Sequence, residues 1–141
     1  MYQMFPLLAI SLIVYSVLTL TGVAGVNEPW YDMLFIPIPM VSGDIWALTW
    51  GDVFLLASMG LLFVELLRST KTGSESIMNH ALSVVVFVIS LLLFIIVKGF
   101  GNSVFFLYMT MTFLDFMAGF IVTTVTARRD LNVDGGGASL G

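Results

Sequence analysis

Asp115 is the residue with the most chemical consequence in this chain. It lies in an apolar stretch, residues 104–126, that carries no other charge. As a helix, that stretch puts Asp115 at its middle, about 16 Å from either end. An ionisable side chain at such a depth in a membrane costs about 2.5–3.5 kcal/mol on insertion scales. A carboxyl kept there with no cation at its own level has two uses. It binds a proton or a cation, or it is held by hydrogen bonds from facing hydroxyls and helps helices to associate. Thr110 and Thr112 offer hydroxyls on the same helix, and Gly119, four residues on, lets a neighbouring helix come close.

Four more ionisable residues belong with it: Glu65, His80, Asp52 and Lys98. If the second and third apolar runs form an antiparallel hairpin, Glu65 falls level with His80 and Asp52 with Lys98, to within about 4 Å of depth. An opposite-charge pair at each end of the hairpin follows, serving either as a proton entry and exit relay or as a structural tie. Arg68, three residues after Glu65, is a rival partner on the same helix. Along the third run His80, Ser83, Phe87, Ser90 and Phe94 recur at spacings of three and four and share one face. With the following turn centred near Gly101, Asp115 falls level with Phe87, which makes Ser90 its nearest polar neighbour.

Other chemistries are excluded by what the sequence lacks. A single histidine and no cysteine leave no thiolate site, no paired-histidine zinc site and no haem held by two histidines of one chain. No phosphate-binding glycine loop, dinucleotide fingerprint or glycosylation acceptor occurs. No nucleophile and base share a depth with an oxyanion donor, so the chain is expected to be no enzyme and to hold no cofactor. The nine methionines, Met109, Met111 and Met117 among them, have no histidine or cysteine cluster beside them and are expected to be adaptable packing.

The elements that must position these residues follow from composition. Of 141 residues, 59% are hydrophobic and 10% charged, against about 45–50% and about 25% in soluble domains, which marks a membrane protein. Five Lys and Arg against nine Asp and Glu give no basic surface, so nucleic acid is excluded as a partner. A bilayer core takes roughly 20 apolar residues per helix, and helices are predicted at about 5–23, 45–67, 77–97 and 104–126. The second is extended back to 45 because residues 53–67 alone reach only about 22 Å, which puts Asp52 inside the helix. Thr72 and Glu75 have capping-box spacing before the third. A secretory leader is disfavoured for the first, because no Lys or Arg precedes it and it exceeds the usual apolar core of a leader.

The expected fold is therefore all-α: a polytopic membrane protein with four transmembrane helices in an antiparallel bundle. It forms one domain over residues 1–130, followed by a flexible tail at 131–141 that contains Gly135, Gly136 and Gly137. Between helices 1 and 2, residues 25–44 carry Trp30, Tyr31, Phe35, Pro37 and Pro39, and are expected to form an interfacial loop, as an anchor or as a partner-docking surface. Arg68, Lys71, Arg128 and Arg129 against Lys98 favour both termini on the cytoplasmic side of the inner membrane. The expected function is a non-catalytic accessory or scaffold subunit of a membrane assembly, or a self-assembling protein. Its partners are then the lipid bilayer and other membrane subunits or further copies. The alternative is an oligomeric channel or transporter linked to protons or cations through Asp115. A dry, hydrogen-bonded setting for Asp115 supports the first, and a wet cavity the second.

Overall fold

In the computed structural model, which describes residues 6–22, 29–69 and 74–140, four helices flank one β-hairpin. The order is α1 (Leu8–Thr21), a 3-10 turn (Trp30–Asp32), β1 (Leu34–Pro39), β2 (Ile45–Thr49), α2 (Trp50–Ser69), α3 (Ser74–Ile96) and α4 (Ser103–Leu140). Successive helices run in opposite directions. Ser11 of α1 meets Ser58 of α2, and Leu8 meets Glu65. In the next antiparallel pair Phe94 stacks on Phe105, and Phe87 packs on Phe113.

Three helices hold stretches long and apolar enough to cross a membrane: Trp50–Arg68, Met78–Ile96 and Ser103–Val122. The first helix is shorter than the expected 5–23. Its 14 described residues reach about 21 Å. It ends at Gly22, whose φ of 61° lies in the left-handed region that favours glycine.

The segment between α1 and α2, expected as an interfacial loop in an all-α fold, holds a two-stranded β-hairpin. Pro37 and Pro39 bar a helix but are tolerated in a two-stranded ribbon, where both strands are edges. Ile45, Trp46 and Thr49 are of types that favour strands. The strands pair antiparallel, with Pro37 opposite Ala47 and Ile38 opposite Trp46. Met40 N–H donates to the Asp44 carbonyl at 2.8 Å across the connecting loop, where Gly43 has φ 98°.

Helix α2 consequently starts at Trp50 rather than near 45. Thr49 and Asp52 fix that start by a reciprocal capping box. Asp52 Oδ2 accepts from the Thr49 N–H and hydroxyl, both at 3.0 Å, and Thr49 Oγ1 accepts from the Asp52 N–H at 3.3 Å. The resulting 20 residues reach about 30 Å, enough to span without the extra turn.

At the other end of the chain, α4 runs to Leu140, 38 residues in all, through the segment expected to be a flexible tail. No proline interrupts residues 103–140, and helix propagates once formed. The glycines at 135–137 weaken it by about 1 kcal/mol each relative to alanine. The expected Thr72–Glu75 capping box lies outside the described residues.

The apolar core is aromatic and gathers at the hairpin end of the helices. Tyr15 is fully buried, and its ring meets Trp30, Tyr31, Phe54, Phe100 and Phe105 at centroid distances from 4.8 to 6.2 Å. The turn joining α3 to α4 closes on it. Tyr15 donates its hydroxyl hydrogen to the Gly99 carbonyl at 3.0 Å, and Asn102 Nδ2 donates to the Tyr15 oxygen at 2.6 Å. Asn102 also caps α4, its Oδ1 accepting from the Phe105 N–H at 2.9 Å. Gly99 makes the turn with φ 94°.

Candidate functional site

At the opposite end, polar side chains from three helices converge on the start of α1. Glu65 comes from the last turns of α2, Asn79, His80 and Ser83 from the first turns of α3, and Asp115 from α4. All are buried: Glu65 is 0% exposed, Asp115 and Ser83 1%, Asn79 4% and His80 6%. These values describe a site enclosed by the helices.

Glu65 lies against the N-terminus of α1, where the helix dipole favours an anion; the Ala9 and Ile10 N–H groups go to the Pro6 and Leu7 carbonyls, and that of Leu8 is left for Glu65. Its Oε2 accepts from the Leu8 N–H at 3.4 Å, and its Oε1 accepts from Asn79 Nδ2 at 3.2 Å. Tyr108 ties the same turn to α4 by donating to the Leu8 carbonyl at 2.5 Å. Asp115 Oδ2 accepts from Ser83 Oγ at 2.9 Å. That hydroxyl also lies 3.0 Å from the Asn79 carbonyl, so its one hydrogen is shared between two acceptors.

The Glu65 and Asp115 carboxyls lie within hydrogen-bonding reach of each other. His80 faces Asp115 from α3 and packs over Gly119, where an added β-carbon would run into the imidazole ring. Both ring nitrogens of His80, Asp115 Oδ1 and Asn79 Oδ1 are buried without a hydrogen-bond partner. Unpartnered polar atoms in an interior are costly and uncommon, and here four occur on three neighbouring buried residues. The arrangement gathers three titratable groups, Glu65, Asp115 and His80, in one buried cluster. No three His, Cys, Asp or Glu groups among the described residues converge so as to hold a metal ion.

The sequence-derived candidates divide around this site. Asp115, Glu65 and His80 are brought together, but with other partners than expected. Glu65 bonds to Asn79, the residue before His80, and not to His80 itself. Ser90 does not reach Asp115; it donates to the Val86 carbonyl at 2.8 Å on its own helix. Ser83 takes its place because the turn pivots on Gly99 rather than Gly101. Moving that pivot by two residues shifts the facing level by four, one helical turn. Asp52 and Lys98 do not pair, since Asp52 caps α2 and Lys98 is exposed. Thr110 and Thr112 spend their hydroxyls on the Phe106 and Met109 carbonyls of their own helix. Asn79, Tyr108 and the Leu8 N–H carried no signal in charge or motif. Ser83 did, since it lies on the same stripe as Ser90.

A concavity of about 470 Å³ opens at the hairpin end beside Val14, Leu18, Trp30, Trp50 and Phe54. Its lining is apolar, and the Trp30 indole N–H is committed to Thr19 Oγ1 at 3.0 Å. It offers packing and no acid–base chemistry. No protein-family model matches this chain, and no curated protein or solved structure matches it.

Proposed function

We propose that this protein is a small non-catalytic multi-pass protein of the inner membrane that works by lateral assembly, as an accessory or scaffold subunit or with copies of itself. Four helices in an antiparallel bundle cross the bilayer in this reading, with both termini cytoplasmic. One observation supports it above others: the polar side chains turn into helix contacts while α4 presents an apolar stripe outward. Phe106, Phe113 and Phe120, seven residues apart, are exposed, as are Leu107, Leu114 and Ile121 beside them. A stripe that repeats every seven residues is the pattern on which a second helix packs. The mass of the particle extracted in mild detergent tests the reading. More than one chain per particle is expected, and a particle holding a single copy and no other protein would overturn it.

A second reading, a proton- or cation-linked channel or transporter acting through Asp115, is favoured by the unpartnered Oδ1 of Asp115 and the unpartnered nitrogens of His80. The enclosure of Asp115, 1% exposed, and its hydrogen bond from Ser83 weigh for the first.

A further inference from the structure

Glu65 and Asp115 stand on α2 and α4, which run parallel, and their carboxyls come within hydrogen-bonding reach at the level of the α1 N-terminus. Carboxylate oxygens only accept hydrogen bonds. Two of them facing each other therefore need a hydrogen from one of the pair. The surroundings supply too few donors for two anions. Glu65 receives N–H groups from Leu8 and Asn79, with the Leu7 N–H beside them, whereas Asp115 receives the single hydroxyl of Ser83, and its Oδ1 receives no hydrogen bond from these neighbours. Like charges repel strongly in a buried site, and here neither carboxyl is exposed by more than 1%.

We propose that Glu65 and Asp115 form a proton-binding pair, in which one proton is held between the two carboxyls and supplies the hydrogen bond that Asp115 Oδ1 lacks. The inference goes beyond the scaffold reading and does not require the proton to cross the membrane. From α3 the pair faces His80, which is neutral or cationic near neutral pH. From α4 it faces the Tyr108 hydroxyl, and from α1 the Leu8 N–H. Arg68 lies three residues beyond Glu65 on α2, and Glu65 accepts hydrogen bonds from Leu8 and Asn79. Transfer from the pair to His80 would give two carboxylates and an imidazolium, with the net charge of the cluster unchanged.

Infrared spectroscopy of the full chain in detergent tests the pair directly. Solvent-exposed carboxyls are ionised at neutral pH. A carbonyl stretch from a protonated carboxyl should nevertheless be present in the wild type at that pH, disappear on alkaline titration, and shift when either aspartate or glutamate carries a carboxyl carbon-13 label. The double variant E65Q/D115N, with folding checked by tryptophan fluorescence, should lose the band completely. Absence of the band from the folded wild type at neutral pH would overturn the proposal, and so would a band that survives in the folded double variant. A bound metal cation in place of the proton would leave both carboxylates ionised and give the first of these negative results. The wild-type spectrum alone decides whether the proton is there, and the isotope labels keep the assignment testable should the double variant fail to fold.

Discussion

Tyr15 and Asn102 are 87 positions apart in the chain and 2.6 Å apart in space, and through them α1 is tied to the turn that starts α4. The phenol also holds the Gly99 carbonyl. Tyr15→Phe keeps the ring among its aromatic neighbours and removes only these bonds, so it is expected to cost about 0.6–2 kcal/mol, the range for hydrogen bonds between membrane helices. Tyr15→Ala empties the centre of the aromatic core and should cost about 3–5 kcal/mol. Unfolding measurements that give equal losses for the two would contradict a packing role for the ring.

Asp52 and Lys98 supply the next test. Because Asp52 closes a capping box with Thr49, Asp52→Ala should destabilise by about 0.5–2 kcal/mol. Lys98 is exposed, so Lys98→Ala should change stability by no more than about 0.5 kcal/mol. The double variant should show the sum of the two effects. Clear coupling between them would mean that an ion pair forms after all.

His80 over Gly119 is a steric relation. A β-carbon at 119 runs into the imidazole, and overpacking of this kind typically costs about 1–3 kcal/mol. Gly119→Ala should carry that penalty in the wild-type background and lose it when His80→Ala is also present. An unchanged penalty would put the cause in α4 itself.

How much of this was legible in the sequence differs from residue to residue. The apolar runs were readable as helices in four places, three of them long and apolar enough to cross a membrane, because a long apolar run pairs its backbone polar groups within itself as helix. The hairpin was hidden by its own composition. Trp30, Phe35 and Trp46 suit an interface whether the backbone is strand or loop, and Pro37 and Pro39 argue only against a helix. Thr49 and Asp52 did carry readable capping-box spacing, but extending the helix back to 45 placed Asp52 in its interior and concealed the signal. For Asp115 the face was right and the level wrong by one turn, because two glycines, Gly99 and Gly101, were both eligible to make the turn and only backbone geometry separates them. Asn79, a neutral amide, gave no signal in charge, although it stands beside His80.

Sidedness is checked by labelling. Gly51, at the start of α2, closely approaches Tyr31 and Val104, so the hairpin region and the start of α4 belong to one side. Lys98 is near that end, and Arg68, Arg128 and Arg129 are near the other, which by the positive-inside rule puts the hairpin outside. Single cysteines replacing Ser42 and Ser103 should react with a membrane-impermeant reagent in intact cells. One replacing Ala127, exposed on α4, should react only after permeabilisation. The reverse pattern would invert the topology.

Asp115 separates the two functional readings. Asparagine keeps the shape, still accepts from Ser83 and can donate toward Glu65, but it has no proton to release. Leucine removes both the bonding and the proton. If the chain is a scaffold, Asp115→Asn should assemble nearly as the wild type, judged by the mass of the detergent particle. Asp115→Leu should then weaken helix contacts by about 0.6–2 kcal/mol. If the chain moves protons or cations, Asp115→Asn should assemble equally well and abolish flux into liposomes. A wild-type flux above that of empty liposomes, lost in Asp115→Asn, would therefore sink the scaffold reading. Lack of flux supports the scaffold when the assembly tested is the complete particle extracted in mild detergent, because that particle retains any neighbouring subunit that completes a path beside Asp115.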